Sequence, residues 1–183
     1  MAILAVALIV AVAFTQLAKP PKPWLYLPNL GLGGFAVYTT AWGNGSTIPS
    51  QYACHNANFT SSPPLVIVNV PNGTRSLLII LVDPNASYFI HWALLVVNAS
   101  AGSIPGNIPS LGVTPYGVQF RDSYGIVGFG GPCPPSRHMY ILIAYALNYV
   151  PNLSPGSYYG YDLYVSIASG HVYASSIWVG YYG

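Results

Sequence analysis

Short apolar runs separated by glycine, proline and asparagine set the pattern of this chain from Phe35 onward. The runs are Phe35–Thr40, Leu65–Val70, Leu77–Val82, Trp92–Val97, Met139–Leu147, Tyr161–Ile167 and Tyr173–Val179. Each has strand length and is rich in β-branched and aromatic residues, and amphipathic helical periodicity is hardly visible anywhere, so all seven are read as strands. The expected fold is mainly β: an antiparallel β-sandwich with few short helices, one domain over residues 29–183. Ala99–Pro135 carries no comparable run and is expected as a long irregular stretch.

The chain before this domain follows other rules. Met1–Ala18 has no charge, proline or glycine, and only Thr15 and Gln16 are polar. As a helix it would reach ~27 Å, just enough for a bilayer core. Leu4, Val6, Leu8, Val10, Val12 and Phe14 alternate with mostly alanine, so a strand inserted into a neighbouring sheet is the alternative. High alanine content and length favour the helix. Ala11-Val12-Ala13 suits a cleavage site, but no Lys or Arg precedes the apolar run. A retained segment would be a membrane anchor ended by Lys19 and Lys22, or an assembly element that bundles with its copies. Residues 19–28, KPPKPWLYLP, hold four prolines and are read as an extended, semi-rigid linker.

Composition changes the picture by what it lacks. Of 183 residues only five are Lys or Arg and three are Asp or Glu, a 4% share where soluble domains carry about a quarter. No basic run exists to neutralise phosphates, which excludes a nucleic-acid partner. Surface polarity must come from Asn, Ser, Thr, Tyr and attached sugar. Asn44, Asn58, Asn72, Asn85, Asn98 and Asn152 each begin an Asn-x-Ser/Thr sequon, six of the eleven asparagines. With charge so scarce, this density points to a glycoprotein at the cell surface or outside the cell.

Candidate chemistry collects at strand boundaries. Leu77–Val82 ends in Asp83-Pro84, His91-Trp92 opens the next run, and the stiff loop Gly130-Gly131-Pro132-Cys133-Pro134-Pro135 leads to His138 at the start of Met139–Leu147. One carboxylate and two imidazoles thus stand where loops meet strands. These residues, with Tyr140, resemble the motifs of the phosphatidylethanolamine-binding protein (PEBP) family, particularly its small bacterial and archaeal members. Ile48-Pro49, Tyr52-Ala53-Cys54 and Ser62-Pro63-Pro64-Leu65 are similar to the family's early segment, and Ile167–Val172 with Gly180-Tyr181-Tyr182 to its end. The motifs keep the family's order from about Phe35 to the C-terminus.

The resemblance implies a PEBP-like sandwich with Asp83, His91, His138 and Tyr140 around one pocket for a phosphate or carboxylate. Asp83 would cap its turn and orient a histidine, and His171 would be structural. Three departures remove charge beside the site: Met139 stands where the family usually has Arg or Lys, Asn85 replaces a second acid, and the loop before His138 is shortened. Cys54 and Cys133 both lie in segments that the family places near the pocket mouth. A pair without remainder in an exported chain suggests a disulfide. His55 beside Cys54 and His138 near Cys133 offer a weaker zinc reading, without a close Cys-x-x-Cys or His-x-x-x-His pair, so no metal and no cofactor are expected.

No enzyme is expected either, because Ser136 near His138 lacks a Gly-x-Ser-x-Gly turn. Two functions remain open. One is a structural subunit that polymerises with copies of itself through Met1–Ala18 into a glycosylated extracellular filament. The other is a membrane-tethered module that binds a small anionic ligand.

Overall fold

The computed structural model describes residues 25–54 and 61–183. The expectations on Met1–Ala18, on residues 19–24 of the linker, on His55 and on Asn58 lie outside them. The described residues form a two-layer β-sandwich. The smaller sheet runs in the order β1 (Ala36–Thr39), β3 (Leu65–Val68) and β6 (Gly102–Ile104), with antiparallel neighbours. The larger holds seven strands in the order β2 (Ser46–Thr47), β10 (Val172–Tyr182), β9 (His138–Leu147), β4 (Ser76–Asp83), β5 (Phe89–Val97), β8 (Gly117–Gln119) and β7 (Val113–Thr114). All its pairs are antiparallel except β2 with β10.

The middle of the large sheet is covered on both faces, which is why β4 reads as a continuous apolar run and is buried at every position. Leu77, Ile79 and Leu81 meet the small sheet's Val37, Leu65 and Ile67, together with Trp92, Leu94, Leu142 and Ala144. Leu78, Ile80 and Val82 face the other way, onto Ile141, Ile143, Tyr145, Phe120 and the helix α1 (Tyr161–Ala168), with Leu25, Tyr26 and Leu27 packed at that cluster's margin. Among the described residues, no helix is long and apolar enough to cross a membrane.

The helix α1 corrects the sequence expectation, which made Tyr161–Ile167 a strand. Its buried residues are Tyr161, Tyr164 and Ala168, spaced three and four apart as one helical face requires. Gly160 ends the preceding loop in an extended conformation, Asp162 places a carboxylate in the first turn, and Gly170 at φ 77° follows the end. A short apolar run fits either period, and here the open face of the sheet decides. Ala99–Pro135 is likewise less irregular than expected, since it contributes β6, β7 and β8.

Candidate functional site

The site is built where β4 ends and β5 and β9, its two neighbours, begin. Asp83 closes β4, and its Oδ1 accepts hydrogen bonds from the backbone N–H of Asn85 at 2.8 Å and Ala86 at 3.1 Å, capping the turn that Pro84 starts. Ser87 and Tyr88, both at positive φ (56° and 60°), then reverse the chain into β5. Two such non-glycine residues in succession are uncommon. Tyr88 is braced by stacking on Tyr161 of α1, ring centroids 4.8 Å apart.

His91 reaches the site through a β-bulge. Along the β4–β5 ladder Leu81 pairs with Trp92 and Val82 with Ile90, so His91 is the extra residue. The bulge turns Phe89 and His91 toward the face that Tyr140 occupies, the re-aiming that bulges beside functional sites provide. The imidazole is buried and meets Tyr140 edge-on at 5.1 Å, Tyr124 at 5.5 Å and Phe89 at 5.0 Å between ring centroids. Its Nδ1 lies 2.8 Å from the carbonyl oxygen of Gly130, whose own N–H donates to the His91 carbonyl at 2.8 Å. Burial lowers the His91 pKa to about 4, overcoming the opposing pull of the Gly130 carbonyl and of Asp83.

Gly130 has no room for a side chain, because a Cβ there would stand 2.0 Å from Oδ2 of Asp122. Asp122 is itself buried. Its Oδ1 accepts from Ile126 N–H at 2.7 Å while Oδ2 has no hydrogen-bond partner among the described residues, and burial raises its pKa to about 6. The following loop is tied down covalently: Cys54 and Cys133 form the disulfide, and Cys54 N–H donates to the Pro132 carbonyl at 2.8 Å.

His138 opens β9 with its Nδ1 2.7 Å from Oδ2 of Asp83. Asn85, the residue in place of a second acid, is used structurally, its Oδ1 accepting from Met139 N–H at 2.9 Å. Two positions after His138, Tyr140 is buried, and its hydroxyl, near the Asp83 carboxylate, makes no close hydrogen bond among the described residues. Burial first, and the Asp83 carboxylate second, push its phenol pKa far upward.

Asp83, His91, His138 and Tyr140 thus converge on one cavity of about 170 Å3, as the sequence reading places them. Ala86, Phe89, Tyr124, Pro134 and Pro135 also line it and were not foreseen, while Cys133, which the resemblance puts near the pocket mouth, joins them. His171 is away from it, its Nδ1 3.0 Å from Oδ1 of Asn148. Of the sequon asparagines Asn44, Asn72, Asn85, Asn98 and Asn152 are exposed, although Asn44 Oδ1 already accepts from Val179 N–H at 2.8 Å. Among the described residues, no group of three or more His, Cys, Asp or Glu is placed to hold a metal.

This arrangement of strand ends coincides with a match to the family model described as phosphatidylethanolamine-binding protein, over residues 38–183. The chain belongs to the PEBP family. Among its relatives, the UPF0098 protein of Methanothermobacter thermautotrophicus is 34% identical over 148 residues, 79% of this chain and 95% of that one. A UPF0098 protein of Chlamydia trachomatis is 31% identical over 150 residues, covering 78% and 94%. Solved PEBP structures share the architecture. A PEBP homolog from Chlamydia trachomatis superposes with a TM-score of 0.66 at 26% identity, over 80% of this chain and 95% of its own. A member from E. coli gives 0.68 over 81% and 97%, and at 24% identity it speaks for the fold alone.

Proposed function

We propose that this PEBP domain is a non-catalytic binding module that holds a small phosphate- or carboxylate-bearing ligand at the shared ends of β4, β5 and β9. The observation that carries the reading is the 2.7 Å contact of His138 with Asp83. A carboxylate accepts, so Nδ1 of His138 donates to it and Nε2 is left for a ligand, donating to an anion when the ring carries both its protons. The cavity, about 170 Å3, is below the ~300 Å3 at which pockets begin to enclose drug-sized molecules, so a headgroup-sized ligand fits best. A binding role is supported over catalysis because, among the described residues, the sulfur that lines the cavity, that of Cys133, is bonded to Cys54. Calorimetry with inorganic phosphate and acetate tests this. Binding is expected in the parent and a loss of at least tenfold in His138→Ala with the fold intact; a parent that binds neither anion refutes it.

A second reading, a structural subunit of a glycosylated extracellular filament, is favoured by the apolar Met1–Ala18 and the exposed sequons. Exposing such a segment to water would cost on the order of tens of kcal/mol. It must lie in lipid, in a bundle of its copies or in a groove of a neighbour. Lipid tolerates any apolar sequence, whereas packed copies need the small alanines Ala7 and Ala11 for close approach. Electron microscopy is expected to show polymers of the full chain that Ala7→Phe, Ala11→Phe and deletion of residues 1–18 each abolish. Polymers that persist without residues 1–18 would make the segment a mere anchor.

A further inference from the structure

Resting on the reading of the cavity as an anion site, we propose that it selects an oxyanion that still carries a proton, such as a singly ionised phosphate monoester, over a fully ionised one such as sulfate. His91 is the residue that makes the choice. The carbonyl of Gly130 can only accept, so the 2.8 Å contact fixes the hydrogen of His91 on Nδ1. The reciprocal 2.8 Å bond from Gly130 N–H to the His91 carbonyl holds that loop in place. Burial keeps the ring neutral well below pH 7, which leaves Nε2 as a bare lone pair on a ring that lines the cavity.

The groups facing His91 do not change this. Its ring neighbours are Phe89 on its own strand, Tyr124 on the loop and Tyr140 on β9, and the titratable groups acting on it are Asp83 and His138. Among the described residues no lysine or arginine lines the cavity, and Asp83 contributes a carboxylate. The Tyr140 hydroxyl lies near the Asp83 carboxylate without a close hydrogen bond to any of the described residues, and can donate to a ligand oxygen. The wall therefore asks a ligand for two things at once: an oxygen that accepts from Tyr140 and a hydroxyl that donates to His91 Nε2. A P–O–H group next to a P–O⁻ supplies both. A fully ionised oxyanion supplies only acceptors, and its oxygen would face the imidazole lone pair and Asp83. Sites that hydrogen-bond a substrate hydroxyl reject analogues lacking it strongly, because their own buried groups are left unpaired.

His138 and Asp83 act on any anion in the cavity, so absolute affinities do not isolate His91, whereas the ratio of two anions does. The experiment is competition calorimetry of the full chain with methyl phosphate and sulfate across the second ionisation of the phosphate monoester, at roughly pH 6. Below that pH methyl phosphate is expected to bind at least tenfold more tightly than sulfate, and above it the ratio should fall by up to ~10-fold per pH unit as the last proton leaves. His91→Gln offers an amide N–H, and should bring the ratio toward one and remove its pH dependence. Tyr140→Phe should weaken both anions alike. Equal binding of the two anions by the parent, or a preference that survives in folded His91→Gln, overturns the proposal. Should His91→Gln fail to fold, the parent's ratio across pH decides alone. Absence of binding by either anion is a separate outcome, which refutes the anion site itself and this selectivity with it.

Discussion

His91 and Asp122 flank the Gly130 backbone and bend the stability of the protein in opposite directions with pH. His91 titrates at about 4 in the folded chain against 6.5 ordinarily, so between those values the unfolded chain binds the extra proton and stability rises with pH. Asp122 titrates at about 6 against 3.8, so the folded chain binds the extra proton and stability falls as pH rises through that window. From pH 4 to 6 the two slopes oppose each other. Asp122→Asn removes one of them. Urea unfolding of this variant is expected to gain up to ~1.4 kcal/mol of stability per pH unit over that window, beyond whatever slope the parent has. Identical pH profiles for parent and variant would show that Asp122 is not held protonated. At this scale the sequence was legible where chemistry sits in a motif, as with Asp83, His91, His138 and Tyr140. The Gly130 carbonyl, Tyr124 and Asp122 join the site through the path of a loop, and no spacing along the chain encodes that path.

Among the elements, α1 was the least legible, since a short, mostly apolar run such as Tyr161–Ala168 satisfies either a strand or one helical face until its partner surface is known. Its central residue offers a clean test. Tyr164 is fully buried against Phe120 and Tyr159, and its hydroxyl has no hydrogen-bond partner among the described residues. Removing that oxygen removes an uncompensated burial, so Tyr164→Phe should stabilise by about 1 kcal/mol. Tyr164→Ala should cost ~3–5 kcal/mol through the lost ring and the cavity it leaves. A destabilised Tyr164→Phe in chemical denaturation would mean that the hydroxyl has a partner after all. The bulge in β5 was invisible for a different reason: His91-Trp92 opens an apolar run, and only the pairing with β4 reveals that two neighbouring residues answer to one.

At the scale of the whole molecule the sandwich was legible because β4, β5 and β9 are long, apolar and bounded by turn residues, and the helix that covers one face was not. The disulfide joins segments 79 positions apart and shapes the cavity wall at Cys133. In the chain-entropy account a loop of that length is worth ~4 kcal/mol. Reduction should therefore lower the thermal midpoint markedly and weaken anion binding, because the loop carrying Pro134 and Pro135 loses its tether. A reduced protein that melts and binds like the oxidised one would show the bond to be incidental. Asp83 carries a longer consequence. Its carboxylate is both the cap of a turn and the anchor of His138. A lineage that no longer needed the ligand would still be held to this residue by selection for a folded chain. Loss of a ligand would by itself leave Asp83 in place, and with it the floor of the cavity, because the fold needs the turn that this carboxylate caps.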